Sequence, residues 1–195
     1  MANWGDVIDP GKIDVIARLA DVFRRRGSDS YLGETVTMSE HMLQAAALAE
    51  DEGADESLIA AALLHDVGHF ADELSAYSPS DTIDKRHDIV GAQLLEPYFD
   101  QRIVDAVRLH VAAKRYLCAT NSEYLSVLSK ASVHTLGLQG GPMSPDEIVE
   151  FEGYGGSRDA VRIRLWDDRA KVSGVVTPTF EEYLPLLRQV IRIEK

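Results

Sequence analysis

Apolar residues recur at helical spacing along most of the chain. In "GKIDVIARLADVFRRRG", residues 11–27, they fall three and four apart, and Gly27 stands where a C-cap is needed. Thr37 and Glu40 have capping-box spacing ahead of "HMLQAAALAEDEG", which closes on Gly53. A two-residue turn separates that helix from "DESLIAAALLHDVGHF", with Asp55 as its N-cap. Residues 71–86 carry Ser, Pro and Asp without a period and read as a loop. Helical patterns return near 87–98, 100–113, 121–136, 145–152, 158–172 and 179–193, with "LGLQGGPMSP" as a break. Strand alternation and internal repeats are absent. The pattern predicts a compact all-α helical bundle.

The 195 residues suit one domain, 1–195, with a real core. No run approaches a membrane span, and the N-terminal "MANWGDVIDP" is acidic, unlike a signal peptide. A cytoplasmic protein is expected. The single cysteine, Cys118, excludes an internal disulfide and suits a reducing compartment. A net charge of −12 argues against nucleic acid as a partner. A small anion stays possible only where a local positive site overrides that field.

Six histidines carry the chemical interest: His41, His65, His69, His87, His110 and His134. In "LLHDVGHF", His65 and Asp66 are adjacent and His69 lies one turn beyond His65. Adjacent side chains diverge by about 100° on a helix, so the doublet converges on one ion only where the helix ends or bends. Gly68 permits that. The doublet alone leaves a metal ligand pair and a polar helix end both open. His41 starts one predicted helix and His65 ends its antiparallel neighbour, so the two lie at one level. His87 begins a helix and His110 ends the next, so these too can meet. Asp167 follows Arg164 by three residues, which puts both on one face. Four imidazoles and two carboxylates, besides His69, suffice for two ions sharing one carboxylate. Imidazole with carboxylate favours Fe, Mn or Zn over calcium.

His41, then His65-Asp66, then Asp167 resemble the H…HD…D signature of the all-helical HD-domain superfamily. Most of its members are metal-dependent phosphohydrolases; a smaller branch comprises mixed-valent di-iron oxygenases. "YLGE", "LLHDVGHF", "HVAAKRYL", "LQGGPM" and "RLWD" are similar to segments of the oxygenases that cleave 1-hydroxyphosphonates, across about residues 31–171. The resemblance implies two Fe ions, Fe(II)/Fe(III). One would be held by His41, His65, Asp66 and Asp167, the other by His87 and His110, with Asp66 bridging. It further implies that His69, Lys114, Ser132 and Arg164 grip the phosphonate. Tyr31 and Glu34 would plug the open iron position until substrate displaces them, with Gly33 as hinge. His134 and Cys118 have no matching role. Residue patterns agree in one respect: Lys114 and Arg164 each lie one turn from a ligand candidate and provide the local positive site.

The implied reaction uses dioxygen to oxidise C1 of a 1-hydroxyphosphonate, releasing a carboxylate and phosphate. The expected substrate is (R)-1-hydroxy-2-(trimethylamino)ethylphosphonate, giving glycine betaine; the alternative is the 2-amino compound, giving glycine. Tyr77 and the acids of the 71–86 loop favour the quaternary amine. A more distant alternative is a phosphohydrolase active with Mn or Mg without oxygen; another is a non-catalytic helical binding module. The expected protein is a monomer or weak homo-oligomer, without nucleic-acid or membrane partners.

Overall fold

A computed structural model describes residues 14–71 and 82–192. Its ten α-helices are α1 (Val15–Arg26), α2 (Met38–Asp51), α3 (Glu56–Leu64), α4 (His87–Leu95), α5 (Gln101–Thr120), α6 (Tyr124–Val127), α7 (Lys130–Leu138), α8 (Pro145–Gly153), α9 (Ser157–Arg169) and α10 (Phe180–Val190). A 3-10 turn, Val67–Phe70, follows α3. Among the described residues the only extended pairings are two isolated bridges, Ser30 with Thr37 and Phe99 with Ile191. The architecture is all-α, as the periodicity predicts.

Helix starts follow local chemistry. The predicted capping box is present: Thr37 Oγ1 accepts from Glu40 N, and Glu40 Oε2 accepts from Thr37 N at 2.7 Å. Asp55 caps α3 by accepting from Leu58 N at 3.0 Å. Gly27 ends α1 as expected, but with right-handed φ of −59°. What it supplies is space, because a Cβ there would stand 2.9 Å from Ser39 Cβ at the start of α2.

α3 is the centre of the bundle. Leu58 through Leu64 are all buried, so the helix is apolar around its whole circumference. It packs against α2, α5, α9 and α10, and the three alanines 60–62 let those neighbours approach. Burying Leu63 and Leu64 contributes about 1.5–3 kcal/mol each. α3 stops at Leu64, just where the polar site begins.

Three expectations are corrected. The 100–113 pattern runs on to Thr120 as α5, so His110 sits mid-helix rather than at an end, with Lys114 one turn further on the same helix. The 121–136 pattern splits into α6 and α7, because Ser129 caps a new helix by accepting from Ser132 N. Gly68 serves contact rather than left-handed freedom, since its φ is not positive. A Cβ on it would lie 2.0 Å from His87 O and 2.8 Å from Gly91 N. The bare backbone lets the start of α4, and hence His87, press against the turn after Asp66. Tyr77 and most of the 71–86 loop lie outside the described residues.

Candidate metal centre and anion pocket

Five helices deliver six polar side chains to one buried point. His41 comes from the first turn of α2, and His65 and Asp66 from the end of α3. His87 is the first residue of α4, entered through Arg86 in a left-handed conformation at φ 51°. His110 comes from the middle of α5, and Asp167 from the last turn of α9. His41, His65, His110, Asp66 and Asp167 are at most 2% exposed.

The Asp66 carboxylate is divided between two histidine pairs. Its Oδ2 lies 3.5 Å from His41 Nε2 and 3.4 Å from His65 Nε2. Its Oδ1 lies 3.3 Å from His87 Nε2 and 3.5 Å from His110 Nε2. Within each pair the two Nε2 atoms are 3.1 Å apart. Asp167 Oδ1 joins the first pair at 3.5 Å from His41 Nε2.

Backbone carbonyls orient the rings. His41 Nδ1 lies 2.8 Å from Ala170 O, His65 Nδ1 2.8 Å from Ala62 O, and His110 Nδ1 2.7 Å from Val107 O. A carbonyl can only accept, so each Nδ1 carries the proton and each neutral ring turns a lone pair inward from Nε2. For His41 and His65 this sets lone pair against lone pair in a dry site. A cation between them relieves the conflict, and the carbonyl-oriented imidazole is the arrangement metal-ligating histidines adopt. In the metal-free protein a proton does part of that work. Burial opposes it as the largest single cause, but the charge and hydrogen bond of Asp66 together with the Asp167 charge and the Ala62 carbonyl push His65 up. Burial pulls His41 down and His87 well down, keeping them neutral as ligands must be. Burial works against the ionised Asp66 as well, yet the imidazoles, His65 first, hold it well below the usual carboxylate range. Among the described residues Asp167 Oδ1 has no hydrogen-bond partner, although the Lys171 ammonium stands 3.3 Å away. The donor set therefore fits two divalent or trivalent transition-metal ions sharing Asp66.

His69, on the 3-10 turn, stacks on the His87 ring at 4.1 Å, and its Nε2 lies 3.9 Å from Asp66 Oδ1. That Nε2 is buried and has no hydrogen-bond partner among the described residues. Oδ1 thus faces three imidazoles, His69 being the farthest.

A cavity opens beside this cluster. Its described lining includes Tyr31, Asp66, His69, His87, Lys114, Ser132, Arg164 and Asp167, which joins the predicted cations to the predicted ligands. Lys114 Nζ donates to Thr135 Oγ1 at 2.8 Å, and burial, reinforced by the Arg164 charge, pulls its ammonium down to about 7. Ser132 Oγ accepts from Lys171 Nζ at 3.4 Å. Arg164 is 4% exposed and paired with Asp167 at 2.5 Å and with Asp168.

The Tyr31 ring stacks on His41 at 3.7 Å and 15°. Burial, then the Asp167 and Asp66 charges, push its phenol well above the ordinary value. Leu32 and Gly33 follow in left-handed conformations at φ 47° and 77°. Glu34, expected to share the plug with Tyr31, is placed differently. It is half-buried and is not among the described lining residues. It meets Tyr31 through the backbone, Glu34 N donating to Tyr31 O at 2.7 Å. Sequence reading also passed over Tyr124, Thr135, Gln139, Asp168 and Lys171, which contact or line this pocket.

Residues 38–148 match the family model described as "HD domain". The chain belongs to the HD-domain family. That match takes in His41 through Lys114 and stops short of Arg164 and Asp167. Among relatives, this HD-domain protein is 44% identical over 186 residues to a [1-hydroxy-2-(trimethylamino)ethyl]phosphonate dioxygenase (glycine-betaine-forming) of Leisingera caerulea, covering 95% of each chain. It is 46% identical over 155 residues to a hydroxymethylphosphonate dioxygenase of Gimesia maris, covering 79% of this chain and 77% of the relative. The first of these alignments leaves room for only a few unaligned residues, so it spans every site residue from Tyr31 to Asp167.

Proposed function

We propose that this protein is an oxygen-dependent di-iron enzyme that cleaves the C–P bond of a 1-hydroxyphosphonate. The observation that carries the reading is the division of the Asp66 carboxylate between two inward-facing histidine pairs. His41, His65, Asp66 and Asp167 would hold one iron, and His87 and His110, with Asp66 shared, the other. The two relatives named as phosphonate dioxygenases support iron over a redox-inert ion. Bound there, an iron pair supplies the one-electron chemistry and dioxygen activation that oxidation at C1 requires and zinc lacks.

The chain's own groups do the rest. Lys114 and Arg164 neutralise the phosphonate, with Ser132 and His69 adding polar contacts from the same cavity wall. An ammonium poised near 7 gains its proton fully when a dianion sits beside it. The Tyr31 phenol covers His41 and stands in the cavity, so substrate entry displaces it. Asp84 lines the cavity too and offers a carboxylate to a cationic substituent. That carboxylate, with the 44% relative, favours the trimethylamino compound, converted to glycine betaine and phosphate; hydroxymethylphosphonate and the 2-amino compound are the competitors. The chain acts as a single domain, cytoplasmic, as a monomer or weak homo-oligomer.

The test supplies the iron-loaded protein with each of the three hydroxyphosphonates and follows oxygen uptake with phosphate release. The trimethylamino substrate is expected to give the highest kcat/KM with stoichiometric oxygen consumption. Equal phosphate release under strict anaerobiosis without an added oxidant refutes the oxygenase reading and restores a hydrolase.

A further inference from the structure

Arg164 belongs to a buried network beside the pocket that also holds Tyr124 and Asp168. Tyr124, on the single-turn α6, is 4% exposed and meets Arg164 and Asp168 of α9. Arg164 has only protons to give. Its Nε therefore donates to the Tyr124 oxygen at 3.1 Å, and the phenol's own hydrogen goes to Asp168 Oδ2. The same Nε lies 3.0 Å from Asp168 Oδ2, while Nη2 donates to Asp168 Oδ1. Asp168 thus takes the side-on Nε/Nη2 edge as a bidentate partner, and Nη1 donates to Asp167 Oδ2 at 2.5 Å.

A guanidinium has five N–H groups. Nε–H, one N–H of Nη2 and one of Nη1 are committed by these contacts. The two that remain sit one on each terminal nitrogen and are left for the oxygens of a phosphoryl group. Arg164 also lines the cavity. We propose that Tyr124 and Asp168 are positioning residues: they lock the Arg164 guanidinium side-on, so that its two remaining N–H groups are presented to the phosphonate. Burial pushes the Tyr124 phenol upward, so it keeps the proton this arrangement uses. Without the phenol oxygen, Nε loses one of its two acceptors and the guanidinium can swing within the Asp167–Asp168 pair.

The identity of the anion rests on the phosphonate reading; the lock itself does not. The test titrates the iron-loaded protein with inorganic phosphate under argon, so no oxygen chemistry is involved. Tyr124→Phe is expected to weaken phosphate about tenfold, with iron content and Tm unchanged. In an Arg164→Lys background the same change is expected to alter phosphate affinity less than twofold, because an ammonium has no side-on edge to lock. Asp168→Asn run through the same cycle provides a second variant should Tyr124→Phe fail to fold. Unchanged phosphate affinity in both variants overturns the proposal. So does a tenfold loss that persists undiminished with Arg164→Lys, or a wild-type protein that binds no phosphate at millimolar concentration. Coupling between Tyr124 and Arg164 in a protein that turns over no hydroxyphosphonate would defeat the functional reading and leave the lock standing.

Discussion

Lys114→Met is the perturbation whose size follows most directly from the structure. The lysine is 2% exposed on α5, with its ammonium pulled from 10.5 to about 7. Burial is the first cause, and the neighbouring Arg164 charge adds to it; Asp167 and Asp168 offset only part. That drop corresponds to about 5 kcal/mol of preference for the neutral form in the folded, metal-free protein. The unfolded chain holds its proton up to about 10.4, whereas the folded chain releases it near 7. Between those values the unfolded state binds more protons, so this group makes stability rise with pH. Below about 7 both states carry the proton and the full cost of burying the charge is present.

Methionine matches the stem of the lysine and removes the charge. Thr135 Oγ1 keeps its own bond to Ser132 O. Metal-free Lys114→Met is therefore expected to be more stable than wild type at pH 6, with the gain shrinking as pH rises to 9. Even a fifth of the full figure, about 1 kcal/mol, moves Tm by about 2–4 °C in a chain this size. The assay is a pair of thermal melts, wild type and variant, at each pH, so that groups common to both cancel. A difference that does not vary with pH, or a variant less stable at pH 6, refutes the reasoning. Phosphate affinity of the iron-loaded variant should fall at least tenfold, showing that the buried charge is kept for binding rather than for stability.

Other expectations are more local. Gly68→Ala forces a Cβ to 2.0 Å from His87 O; it is expected to cost more than about 2 kcal/mol in a urea melt and to lower iron content by displacing α4. Asp66→Asn is expected to leave less than one iron per chain by elemental analysis, because both histidine pairs share that carboxylate; Asp167→Asn should spare the site at His87 and His110. Tyr31→Phe keeps the ring that stacks on His41, so melts should superimpose. The optical spectrum of the iron-loaded variant or its substrate selectivity should change, and identity in both would refute the plug.

The helical fold was legible because its signals are local. Capping boxes, N-caps and periodic apolar faces each act within about one turn, and the structure has them at Thr37 and Asp55 as read. Helix length was less legible. The α5 sequence past residue 113 turns polar on the outside, and only packing against α9 tells that it continues to Thr120. The meeting of His41 with His65, and of His87 with His110, was inferable from antiparallel neighbours placing like ends together. Of the pocket's remaining groups, Asp168 and Lys171 were spaced four residues from Arg164 and Asp167 and could have been found. Tyr124 could not, since nothing in a single-turn helix forty residues away marks it as a partner of Arg164.

The deepest gap concerns the carbonyls of Ala62, Val107 and Ala170. Every residue has a carbonyl, so a sequence cannot say which one fixes a tautomer. Yet these three contacts decide that the inward nitrogens carry lone pairs rather than protons. Two of them come from the histidine's own helical segment, three residues back, within reach of the ring. The third, Ala170, caps α9 three residues beyond Asp167 and ties His41 of α2 to that helix. The same short segment thus supplies a carboxylate to the cluster through Asp167 and an orientation through Ala170. Fraying the end of α9 would remove both at once, so the site's integrity depends on a helix terminus that lies outside the matched HD-domain segment.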